Sequence, residues 1–177
     1  MTARLRHQPL VRWMHALWAM AVLADLGLGF LCLGGLLWSG LGYELRVHTA
    51  LGLFALGAFL IYLPYRARLP APDYNDGPQP FAGLVRFVHR GLTAGVILVA
   101  VSGFMTLWQS GTLAPTLGLG EPGPPAPAAL FALAHGLLVY ILAALVLAHI
   151  GGAVFHIAVL RDQTHIRMWP PWAVKDR

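Results

Sequence analysis

Histidine is the residue type that invites a chemical reading of this chain. Eight histidines occur, and six of them (His15, His48, His89, His135, His149 and His156) fall in or at the ends of long apolar stretches. Imidazole binds metals through either ring nitrogen and titrates near neutrality. An ionisable side chain inside a membrane marks a functional site by default. His7 and His165 sit in polar tails, where solvation accounts for them. His135 and His149 are 14 residues apart. At about 100° per residue they project from nearly one helix face, about 21 Å apart along the axis. Such a pair serves two sites at two depths, and each site needs a partner from another element.

The elements that position these side chains follow from composition. Of 177 residues, 58% are hydrophobic and 11% charged, and the mean hydropathy is +0.66. Soluble domains carry about 25% charged residues, and so sparse a supply cannot cover a surface in water. A disordered chain, a nucleic-acid-binding domain and a disulfide scaffold are excluded, and an integral membrane protein remains. Four apolar stretches run from about Trp13 to Trp38, Val47 to Tyr65, Phe87 to Trp108 and Ala128 to Leu160. Each reaches the length of about 20 residues that a spanning helix needs. Hydrocarbon demands helices, and continuous apolar runs exclude the alternation of a β-barrel.

Proline-rich and glycine-rich segments at 66–80 and 110–127 separate spans 2, 3 and 4. The last stretch would extend about 50 Å against a core of about 30 Å, so it tilts or projects. The first is too long for the apolar core of a signal peptide and reads as an uncleaved span. Cys32 is alone, and no C-x-x-C-H motif occurs, so any haem is held without a covalent link. The chain is expected to form one domain over residues 1–177.

Orientation follows from the basic residues. Arg4, Arg6 and Arg12 precede span 1, Arg66, Arg68, Arg86 and Arg90 flank the loop between spans 2 and 3, and Arg161, Arg167, Lys175 and Arg177 follow span 4. Only Arg46 of the 12 Lys and Arg lies on the other side, with Glu44 and Glu121. Both termini are therefore expected in the cytoplasm. His15 then falls in the cytoplasmic half and His48 near the periplasmic end. Span 4 runs inward, placing His135 outside and His149 inside. The four sort into His48 with His135 and His15 with His149.

Two facing imidazoles on different helices are what a six-coordinate haem iron requires. Two nitrogens with no carboxylate or thiolate nearby are too few for a structural zinc site, and a macrocycle supplies the other four donors. Glycines 52, 91, 95, 136, 151 and 152 would let a flat ring approach the helix backbones. Close helix packing is the competing account, as at Gly91-x-x-x-Gly95. Asp25 falls mid-span, where a proton relay, a haem-edge contact and a buried neutral carboxyl all stay open. His89 and Arg90 read as interfacial residues on the cytoplasmic side.

One histidine in span 1, one at the start of span 2 and two in span 4 resemble the bacterial cytochrome b561 family. The R-W-M-H opening at residues 12–15 and the closing stretch from His149 to Pro170 are similar to the same family. The likeness covers all four spans and extends to the cytochrome b subunits of formate dehydrogenases and nickel–iron hydrogenases. It implies a four-helix, all-α membrane bundle around two b-type haems. The implied axial ligands are His15 with His149 on the cytoplasmic side and His48 with His135 on the periplasmic side. It associates His156 with ubiquinone. The implied function is electron transfer across the bacterial inner membrane between a periplasmic donor and the ubiquinone pool, with lipid and quinone as partners and no nucleic acid. A superoxide:ubiquinone oxidoreductase is one form of that activity. Superoxide capture should benefit from a cationic funnel, whereas this chain offers Arg46 alone beside two glutamates. The alternative is a membrane anchor and electron relay for a separate redox enzyme.

Overall fold

The computed structural model describes residues 8–33, 43–69, 81–121, 128–161 and 168. His7, His165, residues 34–38 of the first apolar stretch, and most of the closing segment after Arg161 lie outside the described residues. Helix α1 (Pro9–Leu28) continues into a π-helical turn, Gly29–Leu33. Next come α2 (Tyr43–Ala67), α3 (Ala82–Gln109), a short α4 (Leu113–Thr116) and α5 (Ala129–Phe155), which ends in a π-helical turn, His156–Leu160. Four of these helices are long and apolar enough to cross a membrane.

Helices α1, α2 and α3 start earlier than the apolar runs suggest, whereas α5 starts within one residue of its run. Pro9 opens α1, where its missing N–H is no loss and its fixed φ suits the first turn. Helix α3 begins at Ala82 and carries Arg86, His89 and Arg90 before the apolar run is fully under way. Helical backbone continues past the hydrocarbon, so hydropathy alone cuts the ends short. Pro64 falls near the end of α2, where it removes a single ladder hydrogen bond. The backbone leaves the helical region at Arg161, in the left-handed conformation at φ 51°.

Packing is closest between α1 and α2 and between α3 and α5. Small residues set the second contact. A Cβ at Gly91 would lie 3.0 Å from Leu145 Cδ1, and one at Gly95 would lie 3.2 Å from Leu142 Cδ1. Without side chains at these positions the two backbones draw together, which is how helices associate in lipid. Phe59 of α2, Val96 of α3 and Leu142 of α5 form the buried centre, with Trp18 of α1 packed against it. Leucines on the outer face of α5 remain open, Leu147 at 70% and Leu130 at 74% exposed. Lipid is the environment that accepts such a surface.

Candidate functional site

The bundle brings the histidines together at two ends. At the near end, where α1 and α3 begin and α5 finishes, the ring centroids of His15 and His149 are 6.4 Å apart, with planes at 60°. At the far end those of His48 and His135 are 6.2 Å apart at 78°. A metal–imidazole bond of about 2 Å, with ring nitrogens about 1.1 Å from their centroids, puts two trans ligands of one metal about 6.3 Å centroid to centroid. Both pairs match that separation.

The far-end pair flanks a cavity of about 510 Å³ lined by Asp25, Gly29, His48, Gly52, Gly103 and His135, among others. That volume suits a bound organic group. Glycine keeps the walls thin. A Cβ at Gly103 would lie 3.0 Å from His135 Cε1, and one at Gly29 would lie 3.5 Å from His48 Cε1. Gly136, beside His135, also lines the cavity and has open space where a side chain would begin. His135 is oriented from α3: its Nδ1 lies 3.0 Å from the Val99 carbonyl oxygen and 3.2 Å from Ser102 Oγ. A donor at Nδ1 leaves Nε2 as the free ligand atom. Ser102 Oγ itself donates to the Val99 carbonyl at 2.9 Å, so the hydroxyl does not compete with the ring.

His48 is oriented differently. Asp25 Oδ1 of α1 lies 2.8 Å from His48 Nδ1. Both atoms are buried, and neither has a hydrogen-bond partner elsewhere among the described residues; the contact is close without being aligned as an ideal hydrogen bond. A Cβ at Gly52, four residues after His48, would come 3.3 Å from Asp25 Oδ2, so the glycine makes room for the carboxylate. The expectation that no carboxylate lies near a histidine pair is thus overturned at the far end. Depth could be counted along the chain, but the rotation that turns Asp25 toward His48 is set by packing between α1 and α2.

At the near end His149 has a second imidazole beside it. The His89 ring lies edge-on at 5.0 Å, with planes at 87°. That is too short for trans ligation of one metal, whereas His15 stands at the matching distance. His89 is exposed, as an interfacial residue should be, and it also borders the pair. Its Nδ1 donates to the Val85 carbonyl at 2.7 Å. The Trp18 indole packs edge-on against His15 at 6.3 Å and stacks on Phe59 at 5.2 Å. Arg12, one turn before His15, is buried at 2% exposure. His156 follows two turns after His149 and touches Phe155 edge-on at 6.4 Å. The glycines suggested beside the near pair divide: Gly91 and Gly95 serve helix packing, and Gly151 and Gly152 face open space.

Among the described residues no three His, Cys, Asp or Glu side chains are arranged to hold a bare metal ion. Each end offers two imidazole nitrogens, which fits a metal that brings its own equatorial ligands. Residues 6–171 match the family model of prokaryotic cytochrome b561. The chain belongs to that family. Comparison with curated proteins and with solved structures found no significant match. As a prokaryotic cytochrome b561 the protein is a membrane-embedded b-type cytochrome that takes part in electron transfer, and the family implies haem b. The four-helix bundle expected of such a cytochrome is the fold observed.

Proposed function

We propose that this cytochrome carries electrons across the bacterial inner membrane through two b haems, between a periplasmic donor and the ubiquinone pool. The observation that carries this reading is the pair of centroid separations, 6.4 and 6.2 Å, each suited to trans ligation of one iron. His15 and His149 hold the cytoplasmic haem, and His48 and His135 hold the periplasmic one. The near end is cytoplasmic and so are both termini, as the arginine distribution supports. Bound haem supplies a one-electron carrier. His15 with His149 and His48 with His135 would each hold one haem iron through two imidazole nitrogens, which suits electron transfer. Val99 and Ser102 hold the His135 tautomer, and the Phe59–Val96–Leu142 layer keeps the space between the sites apolar. His156 opens the π-helical turn after α5, about 10 Å beyond His149, and would be the group that donates a hydrogen bond to a quinone carbonyl and manages its proton.

The test is a visible spectrum of the purified protein before and after dithionite, with haem counted per chain. Two b haems are expected, and a missing Soret band refutes the reading. Superoxide pulses with a soluble ubiquinone analogue test the donor and acceptor. Haems that cycle without reducing quinone would make the protein the relay subunit of another redox enzyme. His156→Ala should slow quinone reduction while leaving both haems bound.

A further inference from the structure

We infer that Asp25 is a positioning residue for His48, and that it sets the far-end haem at a lower reduction potential than its ligation by two histidines alone would give. The inference rests on the ligand assignment proposed above for His48 and His135. Asp25 Oδ1 and His48 Nδ1 are 2.8 Å apart and buried, with no other hydrogen-bond partner among the described residues. The carboxylate oxygen is the nearest acceptor to Nδ1, and a small turn of either side chain would direct an N–H at Nδ1 to it, holding the tautomer that frees Nε2 for metal. A carboxylate behind a ligating imidazole also raises its basicity. The added electron density and the nearby negative charge favour the ferric over the ferrous state, which lowers the potential.

The neighbours of His135 and His149 differ from those of His48. His135 is backed by a neutral carbonyl and hydroxyl. His149 has a second imidazole as its neighbour, and the buried Arg12 guanidinium lies one turn from His15. A carboxylate behind a ligand at the far end lowers that site's potential relative to the near one. Electrons then run downhill from the far end to the near end. Gly52 belongs to the same device, because a methyl group there would press on Asp25 Oδ2 from 3.3 Å.

Redox titration of the purified holoprotein, followed in the visible band, tests this with Asp25→Asn, Asp25→Glu and His48→Ala. In Asp25→Asn the reduced-to-oxidised ratio of one haem at fixed ambient potential should rise about tenfold, equivalent to about 59 mV for a one-electron couple. The other haem should not move. Low-spin ferric resonances should shift for the same haem only, and Asp25→Glu should restore the original midpoint. Asp25→Asn with both haems bound and both midpoints unchanged overturns the role of Asp25 and leaves the ligands standing. If Asp25→Asn loses a haem, recovery of haem and midpoint in Asp25→Glu supports the inference, and failure of Asp25→Glu to recover them overturns it. His48→Ala retaining both haems overturns the ligand assignment itself, and the inference with it.

Discussion

At the far end of the bundle, His48 is backed by a carboxylate and His135 by a carbonyl and a hydroxyl. At the near end, a second imidazole sits against His149 and an indole against His15, with a buried guanidinium one turn away. The proposed ligands are imidazoles at both ends, and what differs is the charge and polarity standing behind them. Ligand type decides that a haem binds, whereas the neighbours decide how readily it takes an electron. A symmetrical wire would have no preferred direction. The proposed wire would be polarised by Asp25, which is not itself a ligand.

The comparison breaks most directly at the ligands. His48→Ala or His135→Ala should remove the far-end haem and keep the other, and His15→Ala or His149→Ala should do the reverse. Haem assays of the four variants should each read one per chain in place of two, and loss of both haems in any variant would end the idea of separable sites. Leu142 lies seven residues from His135 and seven from His149. Leu142→Ala should lower stability by about 2–4 kcal/mol through the void it leaves. Thermal unfolding in detergent should show that loss with both haems released together. Release of one haem first would show that the layer supports the ends unequally.

Smaller effects sharpen the contrast. Gly103→Ala places a methyl group 3.0 Å from the His135 ring, which must move by a few tenths of an ångström. Far-end haem occupancy should fall several-fold while near-end occupancy holds, as spectra of the two haems would show. Ser102→Ala removes a single hydrogen bond, worth about 0.5–1.5 kcal/mol. Because the Val99 carbonyl still accepts from His135, far-end haem affinity should drop by no more than about tenfold. A larger fall would make Ser102 the principal orienting group.

The depth of each histidine was legible in the chain itself. Rise per residue is nearly constant along a helix, so counting from the span ends sorted His15 with His149 and His48 with His135. Azimuth is another matter. It depends on how each helix is rotated against its neighbours, and that is decided by contacts such as Gly91 on Leu145 and Gly95 on Leu142. Asp25 and His48 are 23 residues apart on different helices, and nothing in their spacing announces the contact. The start of span 3 puts His89 at the depth of the near-end pair, but its ring contact with His149 depends on the same rotation. The short α4 helix escaped notice in a segment whose prolines and glycines argue only against a long helix. Glycine identity carried a partial signal: six were singled out near histidines, while Gly103 and Gly29, which meet His135 and His48, were not.

The apolar centre at Phe59, Val96 and Leu142 has a consequence for membrane voltage. With Trp18 and its other apolar neighbours the cluster contains a single polar side-chain atom, the Trp18 indole nitrogen, which has no hydrogen-bond partner among the described residues. Protons travel along chains of hydrogen-bonding groups, and this layer supplies none. An electron passing between the proposed ligand pairs would cross this layer unaccompanied, over about 21 Å of a core about 30 Å thick. A full crossing is worth about 2.3 kcal/mol for every 100 mV of membrane potential. Inward transfer of the kind proposed would work against an inside-negative potential, so the protein's turnover would gauge how strongly its membrane is energised.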